Sequence, residues 1–277
     1  MTVIAITREF GTRGLEVAHA LGARLGLEVL NDELIERDIA QLAGLSNATV
    51  HRYFDGSASL LERWRTDESH LSRTTTEEVL QLATKDSVVV RGWGAPYLLR
   101  DVPHVVCVRI CAPMPFREKV LVERGVAATP GAARSMIEVQ DAANDKVMRR
   151  LFGADGRDAL VYSLVLNTGR LNVEQCVEQI SHVAAAEQFQ TTVQSRQVLL
   201  DRLIQHRAHR LIDQRVGADR GFTHIMVDVV DGHVTLSGES LTPDVNVAAA
   251  DIVRKIEGVS NVRSEITVLP YYRRHAA

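Results

Sequence analysis

Residues 3–18 read Val3-Ile4-Ala5-Ile6-Thr7-Arg8-Glu9-Phe10-Gly11-Thr12-Arg13-Gly14-Leu15-Glu16-Val17-Ala18, and the fold turns on how they are read. Residues 3–7 are a short apolar, β-branched run, the pattern of a buried strand. Gly11 and Gly14 follow, with Thr12 and Arg13 between them. Beyond Gly14 the spacing becomes helical at Leu15, Ala18, Leu21, Gly22 and Leu25. Strand, glycine turn and helix start is the layout of an anion cradle. The first N–H groups of a helix have no partner within it, and its dipole favours negative charge there.

The spacing alone has two readings. An ordinary tight turn between strand and helix also uses glycine for positive φ. A full Walker A motif needs Gly-x-x-x-x-Gly-Lys-Ser/Thr, and the turn lacks it. The first lysine of the chain is Lys85. Phosphates bound here would be held by backbone amides and by Arg8 or Arg13.

At 277 residues the chain has room for two domains, or one large one, with ample core. Hydrophobic content of 45% and charged content of 24% are those of a globular protein in water. A net charge of −3 gives no global pull toward nucleic acid or anionic membrane. Arginine far outnumbers lysine, which suits phosphate contacts but also follows from codon bias. The three cysteines, Cys107, Cys111 and Cys176, have neither the number nor the spacing of a disulfide framework or a zinc site. The opening is a strand followed by charge rather than a signal peptide, and no apolar run reaches membrane-spanning length. A cytoplasmic protein is expected, with no metal held by the chain itself.

Residues 6–14 resemble the opening of the cytidylate kinase-like family, P-loop proteins that begin Ile-Ser-Arg-Glu-Phe-Gly-Ser-Gly-Gly and also lack the P-loop lysine. The resemblance continues at Leu30-Asn31-Asp32-Glu33-Leu34-Ile35, Gly44-Leu45-Ser46, residues 88–99, Cys111-Ala112-Pro113, Asp145-Lys146 and Leu166-Asn167-Thr168. It covers roughly residues 3–182 and rests on the order and spacing of its motifs. It implies an α/β fold, a P-loop kinase-like parallel sheet with helices on both faces. It further implies ATP and Mg²⁺ as cofactors and a nucleotide as partner, with Arg8, Gly11, Thr12, Arg13 and Gly14 around the phosphates.

Residues 27–30 read as a second strand ending at Asn31-Asp32. In the resembled family an aspartate here lies near the acceptor nucleotide, so Asp32 is the acceptor-side candidate; it would equally serve as a helix N-cap. Residues 36–84 read as mostly helical with a break at Asp55-Gly56-Ser57, like the nucleotide-monophosphate-binding insert of small kinases. Arg52, Arg63, Arg65 and Arg73 either meet an acceptor phosphate there or are solvated. Residues 44–53 carry a superficial helix-turn-helix pattern, but they sit inside a βαβ layout.

Residues 87–90 form a strand leading to Arg91-Gly92-Trp93-Gly94-Ala95. The family usually has Gly-Arg-Gly here, so Trp93 stands where its arginine is expected and either stacks on a base or packs. Residues 105–110 are an apolar strand interrupted by Arg109. A helix with Arg117 and Arg124 on one face follows, then a break at residues 125–131. A second helix from about residue 132 places Asp141, Asp145 and Arg149 on one face at i, i+4 and i+8.

Two such helices resemble the arginine-rich lid of a nucleoside monophosphate kinase; intrahelical pairing accounts for the same charges. In the lid reading Arg117, Arg149 and Arg150 neutralise the transferring phosphate. The family's Asp-Lys-x-Arg reads Asp145-Lys146-Val147-Met148 here, with arginines displaced to Arg149 and Arg150. Residues 161–166 give the last strand, ending at Asn167-Thr168-Gly169, and residues 173–186 the last helix.

The remainder is a second pattern. Residues 187–198 read as a linker, and residues 196–215 as a helix. Residues 225–230 and 233–237 are alternating strands around the hairpin signal Asp231-Gly232. Another helix starts at Pro243, and residues 259–269 form a last strand. Residues 227–238 and 258–262, with Ile266-Thr267-Val268, closely resemble the BON domain, a small α/β module associated with phospholipid surfaces or other ligands. Its expected partners are a phospholipid surface or a protein. Arg202, Arg207, Arg210, Arg215 and Arg220 are either a basic face for headgroups or a solvated helix face. The expected division is 1–186, linker 187–198, BON domain 199–270 and tail 271–277. The expected function is ATP-dependent phosphoryl transfer to a CMP-like nucleoside monophosphate, tuned by the BON module. The alternative is a weak or inactive nucleotide sensor signalling through that module.

Overall fold

The computed structural model describes residues 2–30, 32–54, 57–59, 67–92, 94–217, 224–240 and 243–269. Asn31, Asp55, Gly56, Arg63, Arg65, Trp93, Arg220 and the 271–277 tail lie outside these residues. The chain divides into two compact units, Met1–Ser195 and Arg196–Ala277.

Among the described residues of the first unit five strands form one sheet: β1 (Val3–Arg8), β2 (Glu28–Val29), β3 (Val88–Arg91), β4 (Val105–Cys111) and β5 (Leu164–Asn167). The order is β2-β3-β1-β4-β5, and every pairing is parallel. Parallel neighbours need crossovers, and helices supply them. These are α1 (Gly14–Leu25), α2 (Asp32–Ala43), α3 (Asn47–Phe54), α4 (Glu68–Ala83), α5 (Ala95–Leu99), α6 (Met114–Glu123), α7 (Pro130–Phe152) and α8 (Val173–Ala185). The apolar run at the start of the chain is central because burial on both faces suits unbroken Val and Ile. Ile4 and Ile6 join Val17 and Leu21 of α1 and Val177 and Ile180 of α8 in one core. Val3 and Ala5 point to the other face and are equally buried.

Three boundaries depart from the sequence reading. Strand β5 starts at Leu164 instead of residue 161, because residues 159–161 form a short 3-10 turn that Asp158 caps by accepting the Leu160 amide at 3.0 Å. The second lid helix begins at Pro130, where Thr129 accepts the Ala132 amide at 3.2 Å and proline tolerates the first turn. The stretch read as a linker is helical from Val193 onward, in α9 (Val193–Ile212). Ser195 and Thr192 cap that helix reciprocally.

The second unit pairs β6 (His224–Val230) antiparallel with β7 (His233–Ser240), and β7 parallel with β8 (Asn261–Val268). Its core joins Ile204, Ala208 and Ile212 of α9, Val227, Val234, Leu236 and Ile266 of the sheet, and Val245, Ala249 and Val253 of α10 (Pro243–Val253). The Asp231-Gly232 hairpin has both residues at positive φ, 52° and 74°. Asp201 accepts both turn amides, at 2.8 and 2.9 Å. Of the arginines read as a basic face, Arg210 is buried, Arg202 and Arg207 are half-buried, and Arg215 is exposed. Among the described residues no helix is long and apolar enough to cross a membrane.

All three cysteines are free. Burial, with Asp101 nearby, pushes the Cys107 thiol from 9.0 up to about 12. Only the thiolate is a good nucleophile. Iodoacetamide at pH 8.5 is therefore expected to leave Cys107 unmodified in the native protein and to label all three cysteines after unfolding, read by peptide mass mapping. Native labelling of Cys107 would contradict this burial. The raised value also fixes the sign of a pH effect. Stability from the neutral thiol is complete below pH 9 and is lost as pH rises toward 12.

Candidate functional site

The carboxyl ends of β1, β3 and β4 open onto a cavity of about 520 Å³, the edge at which open α/β sheets bind ligands. Its floor is residues 6–10, Arg91, Gly92 and Arg109. Glu36, His51 and Phe54 of α2 and α3 form one side, and Gln140, Asp141, Asn144, Asp145, Val147 and Met148 of α7 with Gly156 and Arg157 form the other.

The glycine turn lies directly beyond the floor. Gly11 has φ 82°, and Arg13, the N-cap of α1, has φ 58°. Thr12 is fully buried and donates its hydroxyl to the Glu9 carbonyl at 2.7 Å. Thr168, at the end of β5, donates to the Thr12 carbonyl at 2.6 Å. These bonds tie the Glu9 and Thr12 carbonyls and fix the backbone of the turn. A Cβ on Gly14 would lie 2.7 Å from Arg8 Cβ, and one on Gly11 would lie 3.0 Å from the Arg117 carbonyl. Both glycines are therefore required by close approach.

Glu9 organises the floor. It accepts Arg109 Nη2 at 2.7 Å and the Ala112 amide at 3.3 Å, and Arg117 Nη1 lies 3.7 Å away. Arg109 also donates to the Gly156 carbonyl, which Tyr162 bonds at 2.7 Å. Burial works against the Arg109 charge, but the hydrogen bond and charge of Glu9 outweigh it and hold the guanidinium above its ordinary pKa. Burial raises the Tyr162 hydroxyl, so it stays a neutral donor.

The candidates read from sequence separate in the structure. Arg8 and Asp145 line the cavity. Arg13 points away and pairs with Glu123 at 3.0 Å. Arg117 is buried, forks onto Asp141 at 2.7 and 2.8 Å, and donates Nε to the Phe10 carbonyl at 2.7 Å. Arg124 pairs with Glu16 of α1, and Arg150 pairs with Glu68 of α4. Arg149 is exposed and does not line the cavity. Asp32 opens α2, but its side chain lies outside the described residues, as Trp93 does entirely. Thus α6 and α7 do stand together, around Leu121, Ala133 and Ile137, yet most of their arginines are fasteners between helices.

Sequence reasoning passed over Glu9, Glu36, His51 and Arg157. Arg109 carried a usable signal, a charge near the carboxyl end of an otherwise apolar strand. Arg157 carried none, since it sits in an aperiodic loop.

The model of the cytidylate kinase-like family matches residues 3–170. The chain belongs to the cytidylate kinase-like family. A BON domain match covers residues 208–270. The cytidylate kinases of Pyrobaculum aerophilum and Pyrobaculum neutrophilum are 22% and 24% identical over 177 residues, 64% of this chain and 89% of theirs. A crystal structure of an uncharacterized protein from Eubacterium ventriosum superposes with a TM-score of 0.52 at 17% identity, covering 66% of this chain and 97% of that one. That likeness is one of fold. In this cytidylate kinase-like unit Met148 lines the cavity, at the place where the Asp-Lys-x-Arg pattern has arginine.

Proposed function

We propose that the first unit transfers the γ-phosphoryl of ATP to a nucleoside monophosphate, with a CMP-like acceptor, and that the BON unit binds a ligand, membrane surface or protein and tunes it. The observation that carries this is the glycine turn at the head of α1, set beside a cavity whose walls present arginine. The turn fits a polyphosphate. Its backbone is held by hydroxyl bonds from Thr12 and Thr168 to the Glu9 and Thr12 carbonyls, and Gly11 and Gly14 leave the space a Cβ would fill. Gly11, Thr12, Arg13 and Gly14 would hold the ATP phosphates through backbone, with Arg8 alongside. Mg²⁺ entering with ATP would neutralise charge between the phosphates, and it commonly needs only one or two protein carboxylates. Asp145, which lines the cavity, would serve as one such carboxylate, and Asp32 belongs to the acceptor side.

Phosphoryl transfer needs positioning and charge neutralisation rather than covalent help from the protein. Arg109 and Glu9 keep the floor in a fixed geometry, and the α2–α3 side with α7 encloses the acceptor and excludes water. Met148 in the cavity wall supports a second reading, a nucleotide sensor with weak or no turnover. ADP formation from ATP and Mg²⁺ is the test, with CMP, dCMP, UMP and AMP tried as acceptors. Turnover dependent on one acceptor is expected. Arg149→Ala is expected to keep at least about half of it, because an exposed charge outside the cavity contributes little. Nucleotide binding without turnover would select the sensor.

A further inference from the structure

Arg157 is a cavity arginine placed to change partners. Its backbone is held: its amide donates to Asp155 Oδ1 at 2.9 Å, and the adjoining Gly156 carbonyl takes bonds from Arg109 and Tyr162. Its side chain is not held in the same way. Its ion pair with Asp145, at 2.8 Å, leaves the arginine side chain 61% exposed, and a pair so open to water is weakly kept. Arg109 differs, being 12% exposed and engaged with Glu9 and Gly156. The adjoining turn of α7 gives the cavity Val147 and Met148, while Arg150 is tied to Glu68. The fixed base and exposed head leave the guanidinium ready to fork onto a phosphate.

We infer that Arg157 binds the phosphate of the acceptor nucleotide, with Asp145 as its resting partner. This rests on the kinase reading above. The exchange breaks the Arg157–Asp145 pair and forms two N–H···O bonds to phosphate oxygens, with no covalent change. It places the acceptor phosphate between the 153–158 loop and the α2–α3 wall.

The test is calorimetric titration of CMP and of cytidine into the full chain, wild type and variants. Arg157→Ala and Arg157→Gln are expected to weaken CMP about 10- to 100-fold, the loss of a charge-assisted bond, and to leave cytidine within about twofold. Arg157→Lys should fall between, since a point charge replaces a fork. Thermal unfolding of each variant without ligand guards against a folding defect. An unchanged CMP-to-cytidine ratio in Arg157→Ala and Arg157→Gln, with CMP still bound, would overturn this assignment and leave the kinase reading standing. No CMP binding by wild type would overturn both.

Discussion

Arg117→Ala is expected to lower stability by about 3 kcal/mol, near the lower end for breaking a buried ion pair because its carboxylate partners keep some water. Arg117 is 4% exposed. Its guanidinium satisfies the Phe10 carbonyl and both oxygens of Asp141, and stands 3.7 Å from Glu9. Alanine leaves Asp141 without its fork and Glu9 with one arginine instead of two. The side chains of Asp141 and Glu9 are 21% and 24% exposed, so water repairs part of the loss. For a unit of this size the thermal midpoint should fall by roughly 6–12 °C. Arg117→Lys should recover only a fraction, because an ammonium cannot make the planar fork. Urea unfolding of the three proteins measures this directly. A loss under about 1 kcal/mol would mean that the fork holds little, as exposed pairs do. The prediction also separates roles: Arg117 fastens α6 to the β1 loop and to α7, and its removal should be felt without nucleotide.

The sequence and the structure agree where the physics is local. Apolar β-branched runs at residues 3–7, 88–90 and 105–110 became strands because β-branched side chains suit extended backbone and a central parallel strand buries both of its faces. Gly11 and Gly14 marked the turn because positive φ or close backbone approach leaves a residue-level signature. The Asp231-Gly232 hairpin was legible for the same reason. The charge network was not. Whether Arg117 faces a ligand or Asp141 depends on how two helices cross, and a seven-residue spacing says only that Arg117 and Arg124 share a face. Arg150 reaches Glu68, which is 82 residues away in sequence, and no periodicity encodes that. The helical start of α9 was missed because its Gln- and Thr-rich beginning looks like a spacer, while its caps, Thr192 and Ser195, act in three dimensions. Arg157 escaped for the opposite reason: a loop has no period, and its place is fixed from beneath by Arg109 and Tyr162.

Gly14→Ala is expected to cost at least tenfold in ATP affinity, together with about 1–2 kcal/mol of stability, the scale of one methyl forced into a filled space. Backbone conformation is not the obstacle. Gly14 is the first residue of α1, and within a helix alanine is favoured over glycine by about 0.5–1 kcal/mol. The obstacle is Arg8, whose Cβ would lie 2.7 Å and Cδ 2.9 Å from the added carbon. The Cδ end can swing away at little cost. The Cβ cannot, because Arg8 ends β1 and is held in register opposite Ile110 of β4. The strand end or the helix start must therefore move, and Arg8, which lines the cavity, moves with it. Gly131→Ala is the matching control. It lies in the first turn of α7, and its Cβ would meet nothing within 4 Å, so stability should hold or rise slightly. Calorimetric titration of ATP with Mg²⁺ and urea unfolding, run on both variants, read the two effects apart. Unchanged ATP affinity in a destabilised Gly14→Ala would remove the turn from the phosphate site while keeping its packing role. Lost affinity in Gly14→Ala, with Gly131→Ala unaffected, would fix the phosphates at the head of α1, where Arg8, the turn amides and the helix dipole act on the same charge.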